Sequence, residues 1–153
     1  IWQRHAHVLF ASFCTHTFVW KPVSLNLFTL FIEDEPDLCD LMVSQISELN
    51  IETVGVLSAE DGIKQLKETT FDLVVTDIQL PGMDGITLME TVLSEIRPDQ
   101  SFFMMSGQSE YSQDEIIQKG AKKIFYMGNE CISSPQLLEE VATKLLYLSR
   151  PNT

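Results

Sequence analysis

From residue 26 onward, short apolar runs alternate with amphipathic stretches. Residues 27–32 form a near-continuous apolar run and predict a buried strand. Pro36 then suits a helix start, and Leu38, Leu41, Met42, Ile46 and Leu49 recur at helical spacing. Residues 51–56 predict a second strand. Ser58 is a good N-cap for a helix reaching about Lys67, with Ile63 and Leu66 facing inward. Residues 71–76 predict the third strand. A helix over 86–96 follows an Asp-Gly turn and stops near Pro98. Residues 101–106 predict the fourth strand, and 113–119 a short helix ended by Gly120. Residues 123–127 predict the fifth strand. Ser134 caps a last helix to about Leu148, and Pro151 bars its continuation.

Strands and helices therefore alternate strictly. Short connections and apolar strands predict a parallel sheet covered on both faces. Right-handed crossovers leave few topologies. The expected fold is α/β, a five-stranded doubly wound parallel sheet of order 2-1-3-4-5, flavodoxin-like. There is no internal repeat, low-complexity tract or linker to a second domain, so residues 26–150 are expected to form one domain.

Residues 1–25 break the pattern. They hold both tryptophans and all three histidines, and no acidic residue. The first Met of the chain is Met42. This segment is expected to be an atypical extension, disordered or foreign to the native protein; an extra strand or arm is the alternative. His5-x-His7 and Cys14-x-His16 could ligate a metal on one strand face, but two short pairs without structural context are a weak signal, and the expectation is that they hold none. Residues 6–20 are too short to span a membrane and contain His7 and His16. No clear cleavage site follows them.

The formal charge is -12, with 22 acidic against 10 basic side chains. Such a surface repels phosphates, which argues against direct nucleic acid binding. It suits a cation or a basic partner, although most of these charges serve solubility. Cys14, Cys39 and Cys131 form no C-x-x-C pair, so neither zinc nor a disulfide framework is indicated. Reduced thiols and a cytoplasmic location are expected. Cys39 falls among apolar helix positions and reads as a small core residue.

Two apolar runs end in carboxylates. Residues 27–32 run into Glu33-Asp34-Glu35-Pro36, and Leu73-Val74-Val75-Thr76 runs into Asp77. In the expected topology the first and third strands are neighbours, which gathers Glu33, Asp34 and Asp77 at the carboxyl edge of the sheet, where such folds bind ligands. Converging carboxylates repel one another unless a cation intervenes. All-oxygen donors suit Mg²⁺, or Mn²⁺, with waters retained. A cation there could offset charge on an incoming phosphoryl group and leave an Asp oxygen free as nucleophile. An uncompensated carboxylate after Leu73-Val74-Val75 needs a ligand or solvent. Asp84, before Gly85, reads as a turn or cap residue. Ser106 on its own would read as a loop residue.

Taken together, Phe31-Ile32-Glu33-Asp34-Glu35-Pro36, Val75-Thr76-Asp77-Ile78-Gln79-Leu80-Pro81-Gly82-Met83-Asp84-Gly85, Met104-Met105-Ser106-Gly107 and Gly120-Ala121 resemble a response regulator receiver domain of two-component signalling. The resemblance covers roughly residues 26–149. It implies that Asp77 is the phosphoacceptor. It further implies that Glu33, Asp34, Asp77 and the backbone carbonyl of Gln79 hold Mg²⁺, that Ser106 is the switch hydroxyl, and that Gly107 leaves the pocket open. It implies a non-enzymatic signalling domain in a phosphorelay, with at most self-catalysed phosphotransfer and dephosphorylation. A histidine kinase or phosphotransfer protein would donate, and a downstream protein would receive the output. A homodimer through the last two helices and strand five is a further expectation, with Tyr111, Ile116, Leu137 and Tyr147 as exposed candidates.

One departure stands out. Where the family ends strand five with Lys-Pro, this chain has Met127-Gly128. Lys123 lies about 13 Å earlier along an extended strand and is no replacement. Without that Lys, dependence on a cation should strengthen and coupling of Asp77 to strands four and five should weaken. The strand-five aromatic position is Ile124, with Phe125 and Tyr126 after it. A degenerate receiver acting as a phosphorylation-independent binding module is the alternative. A metal-dependent phosphohydrolase wants a second Asp two residues after the first; Gln79 stands there and cannot shuttle protons.

Overall fold

Five parallel strands in the order β2-β1-β3-β4-β5 carry the fold. The computed structural model describes residues 27–107 and 111–126, together with Glu139 and Thr143. The strands are β1 (Phe28–Ile32), β2 (Glu52–Val56), β3 (Leu73–Asp77), β4 (Phe102–Ser106) and β5 (Lys123–Tyr126). Between them lie α1 (Pro36–Ser47), α2 (Ala59–Glu68), α3 (Gly85–Thr91) with a π-helical continuation (Val92–Ile96), and α4 (Gln113–Gln118). The expected ranges 1–25 and, apart from Glu139 and Thr143, 134–148 lie outside the described residues, as do Met127, Gly128, Leu137 and Tyr147.

The central strands are apolar on both sides because both faces of the sheet are covered. Leu30, Ile32, Val74, Met104 and Ile124 join Ala59, Leu66, Ile86, Leu88 and Met89 in one core layer. Phe31, Leu73, Val75, Phe103 and Met105 join Cys39, Met42 and Ile46 of α1 in the other. Cys39 is thus the small core residue its spacing predicts. Leu41 and Leu49 keep helical spacing but are exposed.

Local chemistry sets the helix starts. Pro36 occupies the first turn of α1, where its missing N–H costs nothing. The Ser58 hydroxyl accepts the Asp61 N–H at 3.1 Å, and Asp84 accepts the Thr87 N–H at 2.7 Å. Asp84 is therefore a helix cap, as read from the sequence. Ser112 and Glu115 close a reciprocal capping box at α4.

Three expectations need correction. The helix over 86–96 is α-helical only to Thr91 and then widens. Just before and within the widened segment, the Thr91 and Ser94 hydroxyls donate back to the carbonyls of Thr87 (2.8 Å) and Glu90 (2.7 Å), loading the helical ladder. It ends at Arg97, whose Nη2 donates to the carbonyls of Leu66 (3.3 Å) and Thr69 (3.2 Å) at the end of α2. The third strand runs from Leu73 to Asp77 rather than over 71–76; just ahead of it Asp72 meets Phe28 twice, its carboxylate accepting the Phe28 N–H and its own N–H donating to the Phe28 carbonyl, both at 2.8 Å. Ile116, expected as an exposed contact residue, is fully buried, and Ile117 is the exposed one. Among the described residues no helix is long and apolar enough to cross a membrane.

Candidate functional site

β1 and β3 are paired in parallel with Ile32 opposite Thr76. The residues that follow, Glu33 and Asp77, therefore emerge side by side, with Asp34 next to them. One carboxylate oxygen from each of Glu33, Asp34 and Asp77 lies within 4.8 Å of the others. Glu33 is buried, Asp77 half-buried and Asp34 exposed. The Glu33 N–H donates to the Val56 carbonyl at 3.1 Å and ties the turn to β2. Glu33 Oε1 accepts the Glu35 N–H at 3.2 Å, and Asp77 Oδ1 accepts the Gln79 N–H at 3.0 Å.

Burial pushes the Glu33 carboxyl up from 4.5 to about 7, against the lowering effect of the Glu35 N–H and with help from the charges of Asp77 and Asp34. Asp77 is also raised, first by burial and then by the Asp34 charge, while the N–H groups of Gln79 and Ile78 oppose the rise. A group so loaded with negative charge favours a proton or a cation.

The loop after Asp77 is closely fitted. The Ile78 N–H donates to Met105 and the Gly85 N–H to Ile78, both at 2.9 Å. Gly82 takes a φ of 80°, in the left-handed region that glycine tolerates. Gly85 packs so close to the Asp77 carbonyl that no Cβ could fit. At the tip, the Met83 N–H donates to Glu60 Oε1 of α2 at 3.3 Å. Glu60 had no role in the sequence reading; its partner is 23 positions away, and no local pattern marks it.

Ser106 ends β4, one residue past Met105, the register partner of Asp77. It is fully buried, and among the described residues its hydroxyl has no hydrogen-bond partner. Buried polar groups are rarely left so, and an orphaned hydroxyl at this edge fits an acceptor that arrives from outside. Lys123 pairs with Phe103 at the start of β5, two residues before the level of Asp77. Ile124, at the strand-five aromatic position, is buried, and Tyr126 pairs with Ser106 and is exposed.

The all-oxygen donor set of Glu33, Asp34 and Asp77 fits Mg²⁺, which takes few carboxylates and keeps several waters. The fit is supported by the raised carboxyls of Glu33 and Asp77, whose burial and mutual repulsion a cation would relieve.

The chain is similar to known proteins in the same terms. Two-component response regulator ORR21 of Oryza sativa is 28% identical over 103 residues, which cover 66% of this chain and 14% of that protein. Two-component response regulator ARR11 of Arabidopsis thaliana is 28% identical over 105 residues, covering 67% and 19%. Response regulator protein PilR of Pseudomonas aeruginosa is 26% identical over 116 residues, covering 76% and 25%. The chain thus spans a quarter or less of the length of these three relatives. Among solved structures, response regulator protein TrrA of Thermotoga maritima, in complex with Mg²⁺-BeF, superposes with a TM-score of 0.68 at 21% identity, over 77% of this chain and 98% of that one. A CheY-like receiver domain protein of Methanospirillum hungatei gives 0.71 at 22% identity, over 80% and 96%. These two likenesses show the fold. The response regulator receiver domain model matches residues 29–126, and the chain belongs to that family.

Proposed function

We propose that residues 26–150 act as a phosphorylatable receiver, with Asp77 as the phosphoacceptor. The observation that carries this reading is the gathering of Glu33, Asp34 and Asp77 at the edge where the buried Ser106 hydroxyl lacks a partner among the described residues. An Asp77 oxygen attacks phosphorus on a phosphohistidine donor. A P–O bond forms, the P–N bond breaks, and the imidazole leaves with the electron pair. Glu33, Asp34, Asp77 and the backbone carbonyl of Gln79 hold Mg²⁺, with Mn²⁺ as a substitute. When bound, the cation offsets the charge of the phosphoryl oxygens. Ser106 donates its hydroxyl to one of those oxygens, which resolves the orphaned group. The Mg²⁺-BeF complex of TrrA supports such a ligand class for this fold.

The donor is a histidine kinase or phosphotransfer protein, and output passes to a downstream protein. Tyr111, Ile117 and Tyr126 are exposed apolar residues on the α4–β5 side. The second reading, a binding module independent of phosphorylation, is favoured by Met127-Gly128 in place of Lys-Pro.

Intact-mass analysis after incubation with acetyl phosphate and Mg²⁺ tests the proposal. One added phosphoryl group is expected, lost in Asp77→Asn and lost without the cation. A folded, Mg²⁺-binding protein that gains no mass would leave the binding-module reading.

A further inference from the structure

We infer that Glu60 is a positioning residue for the candidate site: it holds the tip of the Asp77–Gly85 loop and, through it, the backbone at Gln79. The part that concerns the cation rests on the reading proposed above. The two legs of this loop are joined by the Gly85 N–H on the Ile78 carbonyl, and its first leg is fixed to β4 by the Ile78 N–H on Met105. Leu80 is buried in the core. The tip, Pro81-Gly82, is exposed and turns back through the left-handed φ of Gly82. There the Met83 N–H meets Glu60 Oε1 at 3.3 Å, and the same oxygen lies 3.1 Å from where a Cβ on Gly82 would stand. The carboxylate therefore packs along two consecutive residues of the tip.

Glu60 suits this task by its place on α2. It lies in the first turn, where the positive end of the helix dipole favours a carboxylate. Its neighbours Ser58 and Asp61 bond each other in the helix cap, at 3.0 Å. Glu60 is thus left to bridge outward. α2 begins just beyond β2, so its first turn stands at the carboxyl edge that carries Glu33, Asp34 and Asp77. A tether from that turn makes the loop a braced ligand carrier, and backing of this kind sets how well a ligating group is placed.

Three substitutions separate the hydrogen bond from the charge. Glu60→Gln keeps an acceptor of the same reach and removes the charge. Glu60→Asp keeps the charge and shortens the reach. Glu60→Ala removes both. The position is an exposed helix site, and circular dichroism would verify folding of each variant. Two quantities are read: Mg²⁺ affinity by calorimetry, and hydrogen exchange at the Met83 amide. The wild-type protein and Glu60→Gln should bind alike, with a protected Met83 amide. Glu60→Asp and Glu60→Ala should bind about tenfold more weakly, the lower end for outer-shell partners of metal sites, with faster exchange. Wild-type behaviour of Glu60→Ala in both readouts would overturn the inference. So would weak binding of Glu60→Gln beside normal binding of Glu60→Asp, which would assign the effect to charge. If the wild-type protein binds no Mg²⁺, the cation reading fails separately, and Met83 exchange alone then upholds or overturns the tether.

Discussion

Gly85 stands against the carbonyl of Asp77 with no room for a Cβ between them. The helix that follows the site thus starts on the residue the site depends on. Gly85→Ala must push α3 away or shift the end of β3. Overpacking of this kind costs about 1–3 kcal/mol. Urea denaturation should show that loss, and Mg²⁺ affinity should fall with it. A variant of wild-type stability would mean that the contact relaxes freely.

Ser106 predicts an effect of opposite sign. Its hydroxyl is buried with no partner among the described residues, so the protein carries the cost of that group. Ser106→Ala should leave stability unchanged or raise it by up to about 1 kcal/mol, because removing an unsatisfied polar atom relieves its desolvation. Phosphoryl transfer from acetyl phosphate should slow in the same variant. A clear loss of stability on denaturation would show that the hydroxyl is already engaged.

The acidic group predicts a linked dependence on pH and Mg²⁺. Glu33 titrates near 7 when folded and near 4.5 when not. Between those values the folded state holds more protons, so the Glu33 contribution to stability falls as pH rises through that window. Asp77, also raised, acts in the same direction. In chelator, the melting temperature should therefore drop from pH 5.5 to pH 7.5. Glu33→Gln should flatten part of that drop, which separates this carboxyl from the general acidity of the chain. Mg²⁺ needs the ionised carboxylates, so its affinity should climb over the same interval with release of protons. A melting temperature that rises with pH in chelator, equally in both proteins, would contradict this account.

The strand order and the pairing of Glu33, Asp34 and Asp77 were legible because β1 and β3 are apolar runs that stop abruptly at carboxylates. Periodicity and strand ends carry that information, and parallel topology does the rest. The caps at Ser58 and Asp84 were legible because capping is local chemistry. What was not legible depends on distant partners. The widening at Val92–Ile96 rests on hydroxyl back-bonding, and its close on Arg97 reaching α2. The Glu60–Met83 tether spans two crossover units. Ile116 and Ile117 are adjacent apolar residues, and only the packing of α4 decides which one turns inward.

The central claim is that Asp77 carries the phosphoryl group. An acyl phosphate can be trapped by borohydride, which reduces the activated carbonyl and expels phosphate, leaving homoserine in place of aspartate. Peptide mapping by tandem mass spectrometry after acetyl phosphate, Mg²⁺ and borohydride reads the position directly. Homoserine at position 77, dependent on Mg²⁺ and on the phosphoryl donor, is the predicted result. A reduced residue at Glu33, Asp34 or elsewhere, or none in a folded protein that binds Mg²⁺, would contradict it.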